Sequence, residues 1–91
     1  MTYHEAILLI YQELGRAETI HPVWPEDAIH AAAIVSEEAG ELVQAANDFI
    51  YDSGAKDKMQ TEAVHTGAMA IRFLINEYRR EPKHNPFPLG E

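Results

Sequence analysis

The stretch IVSEEAGELVQAANDF, residues 34–49, sets three glutamates into an otherwise apolar helical pattern, and no lysine or arginine occurs between Arg16 and Lys56. At about 100° per residue, Ala32, Val35, Ala39, Leu42, Val43, Ala46, Phe49 and Ile50 fall opposite Glu37 and predict the core face of a long helix. On the same arithmetic His30, Glu37, Glu41, Gln44 and Asp48 lie within about 40° of Glu37, with Glu38 to one side, one turn from Glu41. Nothing interrupts a helix from Glu26 to about Tyr51 except Gly40. A mid-helix glycine costs roughly 1 kcal/mol relative to alanine and suggests close approach by another helix.

Outward from this segment, residues 3–16 carry Ile7, Leu8, Ile10, Tyr11 and Leu14 at helical spacing, with a stop expected near Gly15. ETIHPVWPEDA, residues 18–28, reads as an ordered connection with a short extra turn around residues 19–24, and its second proline and Glu26-Asp27 suit the entry to the next helix. YDSGAKDK, residues 51–58, reads as a loop, and Met59 to about Arg80 as a third long helix stopped by Pro82. The expected fold is all-α: a single domain over residues 1–81 with three main helices and no strand, followed by an extended proline-rich tail over 82–91.

A chain of 91 residues accommodates one core, and a small one, with no cysteine to staple it. Oligomerisation is the remaining source of burial. Fifteen acidic against 7 basic residues give a net charge of -8, a sign that repels a phosphate polymer, so nucleic acid is not an expected partner. The beginning MTYHEAILLI has neither a basic leader nor a long apolar run, so the expectation is a cytoplasmic protein with no membrane partner.

On the third helix Val64, Ala68, Ile71, Leu74, Ile75 and Tyr78 predict an apolar face, while Glu62, His65, Met69, Arg72 and Asn76 share the other side. Glu62 and His65, three apart, are surface neighbours. Glu37 with Glu41 and Glu38 with Glu41 are like-charge pairs that each destabilise a helix by a few tenths of a kcal/mol. Two readings follow: a solvated acidic face, or a site where a hard divalent cation, Mg2+ or Mn2+, supplies the missing counter-charge through oxygen ligands. A second acid-bearing segment on the next helix favours the cation, because helix bundles build metal sites from facing helices.

SEEAGELVQAANDF followed by EAVHTGAMAIRFL resembles the MazG-like all-α nucleoside triphosphate pyrophosphohydrolases, whose pattern is EExxE on one helix and ExxD on the next. The resemblance covers about residues 26–80, and the short length and ExxH variant look closest to small phage-type members, including those that act on purine deoxynucleotides. It implies metal-dependent hydrolysis of a nucleoside triphosphate to monophosphate and pyrophosphate, for nucleotide-pool control. It also implies a homodimer or homotetramer in which neighbouring protomers complete a four-helix bundle. By position Glu37, Glu38 and Glu41 match the EExxE acids, Glu62 matches the first acid of ExxD, and His65 stands where the family has aspartate. Histidine is a softer ligand, so this position suits Mn2+ better than Mg2+, or a place in the second layer around the ion, or a phosphate contact, the plain alternative being a hydrogen bond to a neighbouring glutamate.

Phosphoanhydride hydrolysis needs charge neutralisation and a positioned water. Glu37, Glu41, Glu62 and His65 are the expected metal ligands, and Glu38 is the candidate for orienting or deprotonating that water, with a further ligand role as its alternative. Lys56, Lys58, Arg72 and Arg79 are candidates for phosphate, and Trp24 with Asn47, Asn76 or Gln44 for the base, beside Ile20 and His21. Phe87 is a candidate to close over the site or pack on a neighbour. The rival expectations are a non-catalytic helical dimer that binds metal or nucleotide, and a plain interaction bundle.

Overall fold

The computed structural model describes residues 1–79, which form three α-helices in the order α1 (Tyr3–Ile20), α2 (Ala28–Tyr51) and α3 (Lys56–Arg79). No strand occurs among the described residues. The tail from residue 82 and Phe87 lie outside them, as does the Arg79 side chain.

α1 is started by a capping box in which the Glu5 amide donates to Thr2 Oγ1 at 3.1 Å and the Thr2 amide donates to Glu5 Oε1 at 3.2 Å. The helix does not stop at Gly15 but continues to Ile20. Arg16 pairs with Glu13 one turn back, and Thr19 Oγ1 donates to the Gly15 carbonyl at 2.9 Å, so local bonds span the glycine. The extra turn expected around residues 19–24 is absent: residues 19 and 20 end α1, and residues 21–25 are irregular. Asp27 caps α2, its carboxylate accepting from the Ile29 and His30 amides at 3.3 and 3.2 Å, which places the start two residues after Glu26. α3 begins at Lys56 rather than Met59, so Lys56 and Lys58 are helical. Residues 52–55 make the whole α2–α3 connection, with Ser53 at a positive φ of 57°. The Gly54 amide donates to the Asp48 carbonyl at 2.8 Å, so close that a Cβ on Gly54 would lie 2.9 Å from Asp48 backbone carbon.

α3 is the central helix. It packs on α1 along one side and on α2 along another, while α1 and α2 do not pack on each other. Leu14 and Ala17 of α1 meet Ala68 and Met69 of α3 in the core, and Ile10, Trp24, Ile34, Val35, Ile71 and Ile75 pack around them. The close approach of helices falls at Gly67, where an added Cβ would lie 2.9 Å from Ile10 Cδ1, and not at Gly40, which faces open space.

The faces also differ from expectation. On α2 the inward row is Ala31, Ile34, Val35, Glu38, Leu42 and Ala45, whereas Ala32, Val43, Phe49 and Ile50 are exposed. On α3 the polar residues Glu62 and Arg72 are buried, at 3% and 5% exposure, while Leu74 and Tyr78 are exposed. The reason is architectural: α2 is covered by α3 alone and α3 by α1 and α2, so only part of each long helix is covered, and the covered strips run through Glu38 and Glu62. The uncovered apolar strip, with Tyr3, Ile7 and Tyr11 on α1, remains at the surface.

The two glycines are expected to answer oppositely to substitution. Gly40→Ala should raise thermal stability by about 1 kcal/mol, the helix-propensity gain with nothing to clash, whereas Gly67→Leu should lower it by about 1–3 kcal/mol through overpacking against Ile10. Chemical denaturation at fixed protein concentration measures both.

Candidate metal centre

The inward strips of α2 and α3 bring three potential ligands to one point. Glu38, Glu62 and His65 each offer a donor atom, and these atoms all lie within 4.8 Å of one another. His65 Nδ1 is 3.9 Å from Glu38 Oε2 and 3.8 Å from Glu62 Oε2. Both distances exceed a hydrogen bond. The two carboxylate oxygens are buried and have no hydrogen-bond partner. Buried anionic oxygens without partners are costly, and a cation is the group that satisfies them. The donor set, two carboxylates and an imidazole, is one that divalent transition metals accept.

Each ligand is placed by its helix. Glu38 lies seven residues from both Ala31 and Ala45, the two buried alanines of α2, so it faces α3 at the centre of the inward strip. Their small side chains let α3 come near. Glu62 follows Lys58 by one turn, and Lys58 Nζ bonds Glu62 Oε1 at 2.8 Å, leaving Oε2 to face His65. His65 shares that helix face one turn further on and is 29% exposed.

The carboxyls are not alike. Burial, then repulsion from Glu41, pushes Glu38 above the ordinary carboxylate range, with His65 opposing and Glu62 and Glu37 adding to the rise. The Lys58 hydrogen bond holds Glu62 below its ordinary value despite its burial. Lys58 is raised in return, chiefly by that same bond.

Glu37 and Glu41 stand outside this cluster. Both are exposed, Glu41 beside the Lys58–Glu62 pair and Glu37 near enough to raise Glu38 by its charge. Glu38, expected to orient a water with a ligand role as its alternative, lies in the cluster that could hold an ion. The surface-stripe arithmetic around Glu37 misses this because the buried strip passes along its flank.

A cleft of about 470 Å3 opens next to Glu38, lined by His21, Trp24, His30, Ile34, Met69 and Arg72 among others. The Arg72 guanidinium stacks 5.0 Å above the Trp24 ring and donates to the His21 carbonyl. Arg72 therefore anchors the α1–α2 connection and supports Trp24, rather than extending into solvent. The base candidates separate: Trp24 lines the cleft, but Gln44, Asn47, Asn76 and Ile20 do not. Gln44 donates to Asp48 Oδ1 at 2.9 Å, Asn47 to the Val43 carbonyl at 3.1 Å and Asn76 to the Arg72 carbonyl at 2.8 Å. Lys56 is exposed at the start of α3.

Glu13 of α1 was not singled out in the sequence. Its Oε2 lies 3.6 Å from His65 Nε2, and Arg16 grips it with Nε and Nη2, both at 2.7 Å. Arg16, then the charge of His65, lowers its pKa against the effect of burial. The available signal is position: Glu13 is three residues after Ile10 and four before Ala17, both on the packed face of α1.

No family model, curated protein or solved structure matches the chain at a significant level.

The metal-free protein has a pH signature. Glu38 holds its proton more tightly folded than unfolded, so its contribution to stability is complete below the unfolded pKa and is lost as pH rises through the folded one. Glu38→Gln, neutral at every pH, should escape that loss. Its melting temperature relative to wild type, in chelator, is expected to climb as pH rises through and just above the carboxylate range; a pH-independent difference contradicts the assignment.

Proposed function

We propose that the protein is a metal-dependent nucleotide pyrophosphohydrolase of the MazG-like kind, cleaving a nucleoside triphosphate, with purine deoxynucleotides the favoured class, to monophosphate and pyrophosphate. The observation that carries this reading is the pair of buried, partnerless carboxylate oxygens from two helices meeting at His65 beside a cleft floored by an aromatic ring. Glu38, Glu62 and His65 would hold the ion, Mg2+ or Mn2+, and histidine in the set favours Mn2+. When bound, such an ion neutralises phosphate charge and acidifies a water molecule.

The chain's own groups account for the rest. Lys58, 65% exposed and paired with Glu62, brings a positive charge next to the cluster, where it would help to neutralise the leaving pyrophosphate. Glu41 and Glu37, facing solvent beside the ligands, are placed to orient the attacking water or accept its proton. On this reading Glu38 takes the ligand role that was its alternative in the sequence. Trp24 offers a flat face to a base, kept in place by Arg72.

The exposed apolar rows, Tyr3, Ile7 and Tyr11 on α1 and Val43, Ile50, Leu74 and Tyr78 on α2 and α3, support a homodimer or homotetramer that completes a four-helix bundle. Among the described residues no helix is long and apolar enough to cross a membrane. A cytoplasmic location, with a small-molecule nucleotide as the partner, accords with the acidic charge.

Release of pyrophosphate with Mg2+ or Mn2+, screened over the common ribo- and deoxynucleotides, tests the reading. Glu38→Gln and Glu62→Gln are each expected to lose about 100-fold or more in turnover, the scale on which removing a charge-stabilising group acts. Metal-dependent thermal stabilisation with no pyrophosphate from any nucleotide would instead assign the site to the non-catalytic binding role.

A further inference from the structure

His65 is approached on both ring nitrogens by carboxylates from different helices. Nδ1 faces Glu38 Oε2 and Glu62 Oε2 at 3.9 and 3.8 Å, and Nε2 faces Glu13 Oε2 at 3.6 Å. A neutral imidazole carries one N–H donor and one lone-pair acceptor, and the partner of the protonated nitrogen fixes which is which. The two sides are not equivalent. Glu38 and Glu62 present oxygens with no hydrogen-bond partner, whereas Glu13 is locked by two 2.7 Å bonds from Arg16 and is 13% exposed. Glu13 reaches this place from α1, a helix that supplies none of the three clustered ligands.

We propose that Glu13, clamped by Arg16, is a positioning residue that keeps the His65 proton on Nε2 and turns the Nδ1 lone pair toward the space shared with Glu38 and Glu62. The proposal rests on the metal reading above for what occupies that space. Metal-ligating histidines commonly donate their second ring N–H to a carboxylate, which sets both tautomer and ring orientation. The 3.6 Å approach is longer than a hydrogen bond. Less than an ångström of side-chain movement closes it. Arg16 already fills part of the capacity of Glu13, and a carboxylate oxygen has a second lone pair left for the imidazole N–H. In this arrangement α1 has a task beyond packing: it carries the acceptor that aims a ligand mounted on α3.

Nitrogen-15 NMR of histidine-labelled protein tests this, with the His65 signals assigned from His65→Gln and spectra taken at a pH well above the usual imidazole range. Cd2+ serves as the diamagnetic metal probe. Metal-free wild type should hold a larger Nε2–H share of His65 than Glu13→Leu, since the unpartnered Glu38 and Glu62 oxygens compete for the proton at Nδ1, and Cd2+ should shift Nδ1. Glu13→Leu should lose the tautomer preference and bind Cd2+ about 10–100-fold more weakly, while Glu13→Gln, which retains an acceptor oxygen, should restore the preference. Cd2+ coordination at Nε2 in wild type, or wild-type tautomer populations in a folded Glu13→Leu, would overturn the proposal. If Glu13→Leu fails to fold, Arg16→Ala at its exposed site decides: a several-fold shift in tautomer ratio supports the clamp, and an unchanged ratio overturns it. A tautomer that depends on Glu13 in a protein whose Nδ1 never responds to Cd2+ supports the positioning role and counts against the metal reading alone.

Discussion

The arrangement of this chain turns on two carboxylate oxygens, Glu38 Oε2 and Glu62 Oε2, that are removed from water without receiving a hydrogen bond. Desolvating an ionised carboxylate is among the most expensive acts a small domain can perform, and proteins avoid it unless an opposite charge is brought close. Lys58 meets one oxygen of Glu62 and leaves the other. The rise in the Glu38 pKa is the same cost seen from another side: burial and like charges make its proton hard to remove. A divalent cation would relieve both carboxylates together, which is the ground for proposing a binding site over a solvated acidic face.

That cluster exists because α3 is central. A helix flanked by two neighbours has two inward strips, one directed at α1 through Ala68 and Met69 and one directed at α2 through Glu62. Alanines at Ala31 and Ala45 let α2 approach, and Glu38 between them is carried inward whether or not its charge is welcome. The same geometry explains the Arg72–Trp24 stack, since a buried guanidinium on α3 finds the irregular connection and ties it down. With so few large apolar groups fully covered, broad apolar strips remain at the surface.

Much of this was legible in the sequence. Three helices, the absence of a strand among the described residues and the break at Pro22 and Pro25 follow from periodicity and backbone chemistry, and Glu38, Glu62 and His65 all stood among the candidate residues. What periodicity cannot supply is which part of an amphipathic surface meets a neighbour. Val43, Ile50, Leu74 and Tyr78 have the right spacing for a core and are exposed, because a three-helix protomer covers too little of them. Gly15 looked like a stop, yet the Glu13–Arg16 pair and the Thr19 hydroxyl carry α1 past it. Glu13 itself reads as half of an ordinary surface ion pair; only the packing of α1 across α3 reveals its second face toward His65. Trp24 was visible as the only tryptophan, but its partner Arg72 lies 48 residues away and no local pattern links them.

The most direct test of the central claim is pulsed electron paramagnetic resonance of the protein with Mn2+ bound. If Glu38, Glu62 and His65 hold one ion, the spectrum shows nitrogen-14 coupling from a single histidine, and that coupling vanishes in His65→Ala. Manganese that binds with no histidine coupling, or a protein that does not retain manganese at all, would contradict the account.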